Sequence, residues 1–231
     1  MKRAILFLAL AATACASAGP RQYSGVKLKP AANPSAVIAA ELAFAQLAQT
    51  KGQWTAFRDT ATADAVMFVP QRANAQAWLK GRPDPAVPVR WQPHQVWSSC
   101  DGSFSVTRGA WQGPKATGSF TTVWQRQKDG GFKWVLDMGD PIEAPLTAPE
   151  MIAARVAECR GLPPIVQAIA AQQDRREGLS DDRTLSWSVR VDPLCGRTYR
   201  LLLWDGTKMA EVMSGSAESA PPGDRPANDC A

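Results

Sequence analysis

Residues 91–111 read WQPHQVWSSCDGSFSVTRGAW. Polar and apolar residues alternate on both sides of Asp101-Gly102, a dipeptide whose backbone preferences suit a tight hairpin turn. The spacing therefore predicts two antiparallel strands, over residues 89–99 and 103–111. Simple alternation puts Trp91 and Trp97 on one face of the first strand and His94 on the other, unless Pro93 introduces a bulge that resets the register. Two more segments of strand length follow, residues 118–127 and 132–138, joined by the turn Asp129-Gly130-Gly131. Phe120 and Trp124 share one face, and Trp134 lies on the closing strand. Four antiparallel strands in a meander is the economical reading.

Upstream the period changes to that of a helix. Asn33-Pro34 marks a helix start, because Asn caps free N–H groups and Pro at the first position loses nothing by lacking its own. Val37, Ile38, Glu41, Leu42, Ala45, Leu47 and Ala48 follow at helical spacing, and Gly52 supplies the stop. The first helix is expected over residues 34–50. A shorter helical pattern carries Trp54, Phe57, Arg58 and Ala61, the apolar stretch 65–69 follows, and a third short helix is expected over residues 74–80.

Downstream, residues 141–149 contain three prolines and read as a linker. Helical patterns are expected over 149–158 and 164–173, and strands over 183–191, 197–204 and 208–213, the last two joined at Asp205-Gly206. Their apolar inventory is too small for an independent core, so this tail is expected to dock on the first domain. The division is a signal peptide over 1–18, a tether over 19–33, the main domain over 34–145, an extension over 146–213 and a disordered tail over 214–231.

Lys2-Arg3, the apolar run from Ala4 to Ala12 and the small residues Ala16-Ser17-Ala18 carry the signal-peptide reading. The alternative is a lipoprotein anchored through Cys15, within Ala12-Thr13-Ala14-Cys15. The destination is the periplasm or the exterior. Removing 1–18 leaves 24 basic and 21 acidic residues, so the net charge of +5 falls to +3. No run of five like charges occurs, and no nucleic-acid partner is expected. Export leaves Cys100, Cys159, Cys195 and Cys230, an even number that suggests two disulfides of undetermined pairing.

One histidine, His94, excludes a three-histidine zinc site, and no phosphate-binding glycine loop is present. No metal and no cofactor are expected. The aromatic surface is rich by contrast, with nine tryptophans and seven phenylalanines.

The order of elements, together with residues 91–111, with GQWTAFRDTATADAVMFVP (52–70) and with TTVWQRQKDGGFKWVLDMGD (121–140), resembles the nuclear-transport-factor-2-like superfamily. The nearest branch is the exported SnoaL-like group known as domain of unknown function 4440, and the likeness covers about residues 34–140. It implies an α+β, cystatin-like fold in which a curved antiparallel sheet wraps a long helix as a cone, with an apolar pocket at the open end. On that reading Trp54, Phe57, Phe68, Trp78, Trp91, Trp97, Phe120, Trp124 and Trp134 line or fill a site for a small apolar or aromatic molecule.

Ketosteroid isomerase chemistry would want a Tyr on the first helix, where this chain has Phe44 and none. Asp64 matches the superfamily's pocket acid by position and is the candidate general base of a SnoaL or dehydratase type enzyme, with His94 as a second catalytic candidate. Arg90, Arg108, Asp137 and Asp140 are expected as a charged rim at the pocket mouth. A third reading is an interaction module that forms a homodimer through the open face of its sheet. No membrane span is expected.

Overall fold

Asn33 opens the first helix by accepting a hydrogen bond from the Ala36 amide, 3.1 Å away, with Pro34 following it. In this computed structural model, which describes residues 31–69, 71–161, 163–164, 175–193 and 195–218, helix α1 spans Pro34–Lys51 and α2 spans Gln53–Thr60. Gly52 between them has φ of 106°, a conformation that favours glycine. The cap of α2 comes from far along the chain: the Asp84 carboxylate accepts from the amides of Trp54 (2.5 Å) and Thr55 (3.0 Å) and from the Thr55 hydroxyl.

Strand β1 (Ala61–Phe68) leaves α2 directly, and β2 (Arg72–Asn74) and α3 (Ala75–Leu79) follow. Strands β3 (Arg90–Ser98), β4 (Phe104–Gln112), β5 (Thr117–Arg126) and β6 (Phe132–Ile142) form the antiparallel meander. The full sheet has seven strands in the order β2-β1-β6-β5-β4-β3-β7. The apolar stretch before Pro70 is thus part of a strand parallel to β6.

Strand β7 (Ala153–Val156) replaces the helix expected over 149–158 and pairs in parallel with residues 95–98 of β3. The free edge of β3 offers unpaired backbone groups there, and the Cys100–Cys159 disulfide holds the segment beside it, which outweighs a weak local helical pattern. Residues 165–173 of the other expected helix lie outside the described residues. Strands β8 (Arg175–Leu179), β9 (Leu185–Val191), β10 (Arg197–Trp204) and β11 (Met209–Ala217) form a second, antiparallel sheet in the order β11-β10-β9-β8. β8 was not expected, and β11 carries ordered structure through residues 214–217 of the expected disordered tail. Cys195 is also disulfide-bonded, while Cys15 and Cys230 lie outside the described residues.

Two irregularities decide which side chains face inward. Pairing of β3 with β4 steps from Pro93–Gly109 to Gln95–Arg108, so His94 is an extra, bulged residue. Alternation restarts beyond it: Trp91 faces α1, whereas Trp97 joins the core on the opposite face. The expectation that the two rings share a face is therefore corrected, and the reason is the proline that cannot donate to the ladder. Pairing of β5 with β6 likewise steps from Val123–Leu136 to Trp124–Trp134, which makes Val135 the extra residue. That bulge puts Trp134 and Asp137 on the same, helix-facing side.

The other face of the seven-stranded sheet is not open. Phe68, Trp97, Phe104, Val106, Val123, Leu136 and Met138 pack there against Leu185, Trp187, Val189, Tyr199, Leu201 and Leu203 of the second sheet. This corrects the premise of dimerisation through an open sheet face, since the chain covers that face itself. Among the described residues no helix is long and apolar enough to cross a membrane. Deleting residues 150–231 would bare most of this apolar layer, at roughly 1.5–3 kcal/mol for each large side chain returned to water. The expected outcome is a chain that aggregates in light scattering and lacks a cooperative melt; a soluble monomer with the parent melting temperature would contradict it.

Candidate functional site

Between α2 and the inner face of the sheet lies a cavity of about 190 Å³. Trp54 and Phe57 reach it from α2, Met67 and Val69 from β1 and its end, Trp91 and Trp111 from the paired strands β3 and β4, and Phe120 from β5. Gln53 and Val89 close one side, where the Gln53 side chain accepts from the Val89 amide at 2.9 Å. Trp111 lies over two glycines of the neighbouring strands: a Cβ at Gly118 would come within 2.1 Å of its ring. Its indole N–H donates to the Ser119 carbonyl, 3.1 Å away, which fixes the ring as a wall.

The floor carries the one ionisable side chain among the residues that line the cavity, Asp137. The β6 bulge aims it inward, and it accepts a hydrogen bond from the Thr122 hydroxyl at 2.8 Å. Its surroundings are otherwise apolar, so burial raises its pKa from 3.8 to about 7, against the lowering by Thr122 and with a further rise from the nearby Glu41 carboxyl. The carboxyl is half-buried and borders the cavity.

Glu41 sits behind this wall, fully buried at the middle of α1. Its Oε1 accepts from the Trp91 indole (2.7 Å), and its Oε2 accepts from the Thr107 hydroxyl (2.5 Å) and the Trp124 indole (2.9 Å). Burial raises its pKa, with the three donors opposing the rise. The helical pattern marked Glu41 only as one more position on the inward face. Its partners Thr107 and Trp124, and the donor Thr122, were equally invisible as a set, because they converge only through pairing of three strands.

The other expected residues scatter. Asp64 does not line the cavity: its side chain is 72% exposed and pairs with Arg176 at 2.9 Å, which holds its pKa below the usual carboxylate value. The reason is the pairing of β1 with β2 and β6, which leaves residues 63–64 exposed at an irregular point of the strand. His94 is not beside it. The bulge places His94 with Arg90, Gln92 and Gln112 in a separate depression of about 300 Å³ bordered by Leu146, and burial lowers its pKa.

The expected rim also dissolves. Arg108 faces the second sheet and donates to the Tyr199 hydroxyl at 3.0 Å. Asp140 forms an ion pair with Arg197, and Arg90 stays exposed. Of the aromatic set, Trp54, Phe57, Trp91 and Phe120 line the cavity. Phe68 borders it while packing between the sheets under the Arg197 guanidinium, 4.7 Å from the ring centre. Trp97 belongs to the core between the sheets. Trp124 and Trp134 are fully buried behind the cavity, the latter donating to the Thr60 hydroxyl, and Trp78 stacks edge-on against Trp54 and beneath Arg82. Among the described residues no group of three or more His, Cys, Asp and Glu side chains could hold a metal ion.

No family model and no curated protein matches this chain. Solved structures do. A candidate ketosteroid isomerase from Parabacteroides distasonis is 14% identical, with a TM-score of 0.37, over 50% of this chain and 97% of its own. An epoxide hydrolase of M. tuberculosis described as LEH-like is 20% identical, with a TM-score of 0.32, over 47% of this chain and 81% of its own. An NTF-2 like protein of unknown function from Burkholderia xenovorans is 20% identical, with a TM-score of 0.31, over 51% of this chain and 91% of its own.

A carboxyl that stays protonated in the fold up to about pH 7, but ionises near 3.8 when exposed, makes the folded state bind more protons between those values. Its contribution therefore falls as pH rises from about 4 to 7 and is flat outside that window. Asp137→Asn removes the effect. Thermal melts of the parent across that range are expected to drop relative to those of Asp137→Asn, with the two converging at the acid end; parallel curves would contradict the assignment.

Proposed function

We propose that residues 34–145 form a cone-shaped domain of the nuclear-transport-factor-2-like kind, in an exported protein, and that its cavity takes a small, neutral, largely apolar molecule with one polar oxygen directed at Asp137. The single observation that carries this is the composition of the cavity: aromatic and aliphatic walls with one carboxyl at the floor. Cavity size sets the scale, since ~150 Å³ already accommodates a benzene-sized molecule. One ring with short substituents fits; a sterol does not. The Cys100–Cys159 disulfide supports an oxidising compartment, in line with the signal peptide read at residues 1–18.

A second reading has its own support. A general acid or base works best with a pKa near the operating pH, and Asp137 at about 7 meets that condition where Asp64 does not. Proton transfer in a dehydratase or SnoaL-like reaction is then the work of Asp137, with no part for Asp64 or His94.

Tryptophan fluorescence is the direct test, because Trp54, Trp91 and Trp111 are in the wall. Titration with a panel of monocyclic ketones, phenols and lactones is expected to give a saturable change for at least one class. Asp137→Leu, which removes the hydrogen-bonding group, weakens it about tenfold, the order expected for one hydrogen bond to a polar partner. No saturable response across the panel, or one indifferent to Asp137→Leu, would contradict the proposal.

A further inference from the structure

The paired strands put a polar ladder across the inner face of the sheet, among its aromatic and aliphatic side chains. Thr107 of β4 lies opposite Thr122 of β5, and Thr122 lies opposite Asp137 of β6. Glu41, fully buried, reaches the first rung from α1 and the half-buried Asp137 occupies the last, so two carboxyls share one strip. Among the described residues that line the cavity or bond to Glu41, none is a cation. The groups packed on Glu41 are Trp91, Thr107 and Trp124, and those facing Asp137 are Thr122 of β5, Met67 of β1, Gln53, Trp54 and Phe57 of α2, and Trp91, Trp111 and Phe120 of the sheet. Arg108, next in sequence to Thr107, points through the opposite face to Tyr199.

Two carboxylates cannot both hold charge cheaply in such a strip, because like charges at short range in a poorly polarisable medium repel strongly. Hydrogen bonds decide which ionises first. Glu41 receives three donors and Asp137 receives one. A carboxylate accepts and a protonated carboxyl also donates, so the better-supplied Glu41 suits the charge and Asp137 suits the proton.

We propose that Glu41 is a positioning residue for the cavity: it carries the single negative charge of the pair and thereby keeps Asp137 as an O–H donor towards whatever occupies the cavity. This deepens the binding reading above and rests on it for the identity of the occupant, but the coupling itself is a property of the empty protein. It explains why a carboxyl with no visible wall contact to the cavity is buried at the centre of α1, and it makes Thr107 and Thr122 act on Asp137 with opposite signs.

The test is the titration of Asp137 in the ligand-free full chain, followed by carboxyl carbon NMR with aspartate labelling and assigned by loss of the signal in Asp137→Asn. Glu41→Gln removes the charge and is expected to move the Asp137 midpoint down by about one unit or more. Thr107→Val removes a donor from Glu41, shifts charge towards Asp137 and lowers the midpoint also. Thr122→Val removes the donor of Asp137 and raises it. Should Glu41→Gln fail to fold, the opposed threonine pair decides alone. An Asp137 midpoint unmoved in the folded variants, or moved in the same direction by both threonine changes, overturns the proposal. Loss of ligand response with the opposed shifts intact would fault the binding reading and leave this one standing.

Discussion

The carboxyl of Glu41 ties the central turn of α1 to three strands at once. Trp91 reaches it from β3, Thr107 from β4 and Trp124 from β5. Taking an isolated carboxylate out of water costs several kcal/mol, and three hydrogen bonds to a charged group, at roughly 1.5–3 kcal/mol each, offset that only while all three are in place. The arrangement therefore acts as a condition on the packing. Sliding α1 along the sheet, or shifting a strand by one residue, would leave the acid and its donors unpaired. The cavity inherits this condition, because Trp91 is both a donor to Glu41 and a wall. Phe44, one turn along the same helix, meets the rings of Trp91 and Phe57 edge to face at 4.8 Å each, so the helix fixes the wall through apolar contacts as well.

Much of this architecture was legible in the residues. The first helix, its Asn33 cap and its Gly52 stop, the four strands of the meander and their turns at Asp101-Gly102 and Asp129-Gly130-Gly131 all have local chemical signals, and the structure has these elements within a few residues of where the signals stand. What local pattern cannot supply is a change of parity inside a strand. Two bulges, at His94 and Val135, reverse the alternation that a period of two assumes. The first sends Trp97 to the far face. The second turns Asp137 from a strand-end residue into the floor of the cavity. Pro93 gave notice of the first; no residue type announces the second. Asp64 was selected by its positional match to the superfamily's pocket acid, but partners decide exposure, and Arg176 of the second sheet meets it outside.

The second sheet changes what the first one can be. Its inner residues cover the face that a bare meander would leave to solvent or to another copy. The join is polar at its margin as well: Asp101 and Asp182 exchange backbone amide to carboxylate hydrogen bonds at 2.8 and 3.0 Å, and the Cys100 amide donates to Thr184. One end of this seam is covalently closed by Cys100–Cys159. Arg197 ends a chain of contacts running from the second sheet to Asp140 and the ring of Phe68, and so to the cavity's edge. A tail with too few apolar residues to fold alone becomes half of a shared core.

Sheet, helix and cavity thus meet at two neighbouring acids that share one proton. Neutron diffraction from deuterated crystals of the ligand-free chain at about pH 6, below the value of about 7 held by Asp137, observes it directly. A deuteron is expected on the Asp137 carboxyl and none on Glu41, whose two oxygens accept from Trp91, Thr107 and Trp124. A deuteron on Glu41, or an Asp137 carboxyl without one, would contradict that assignment.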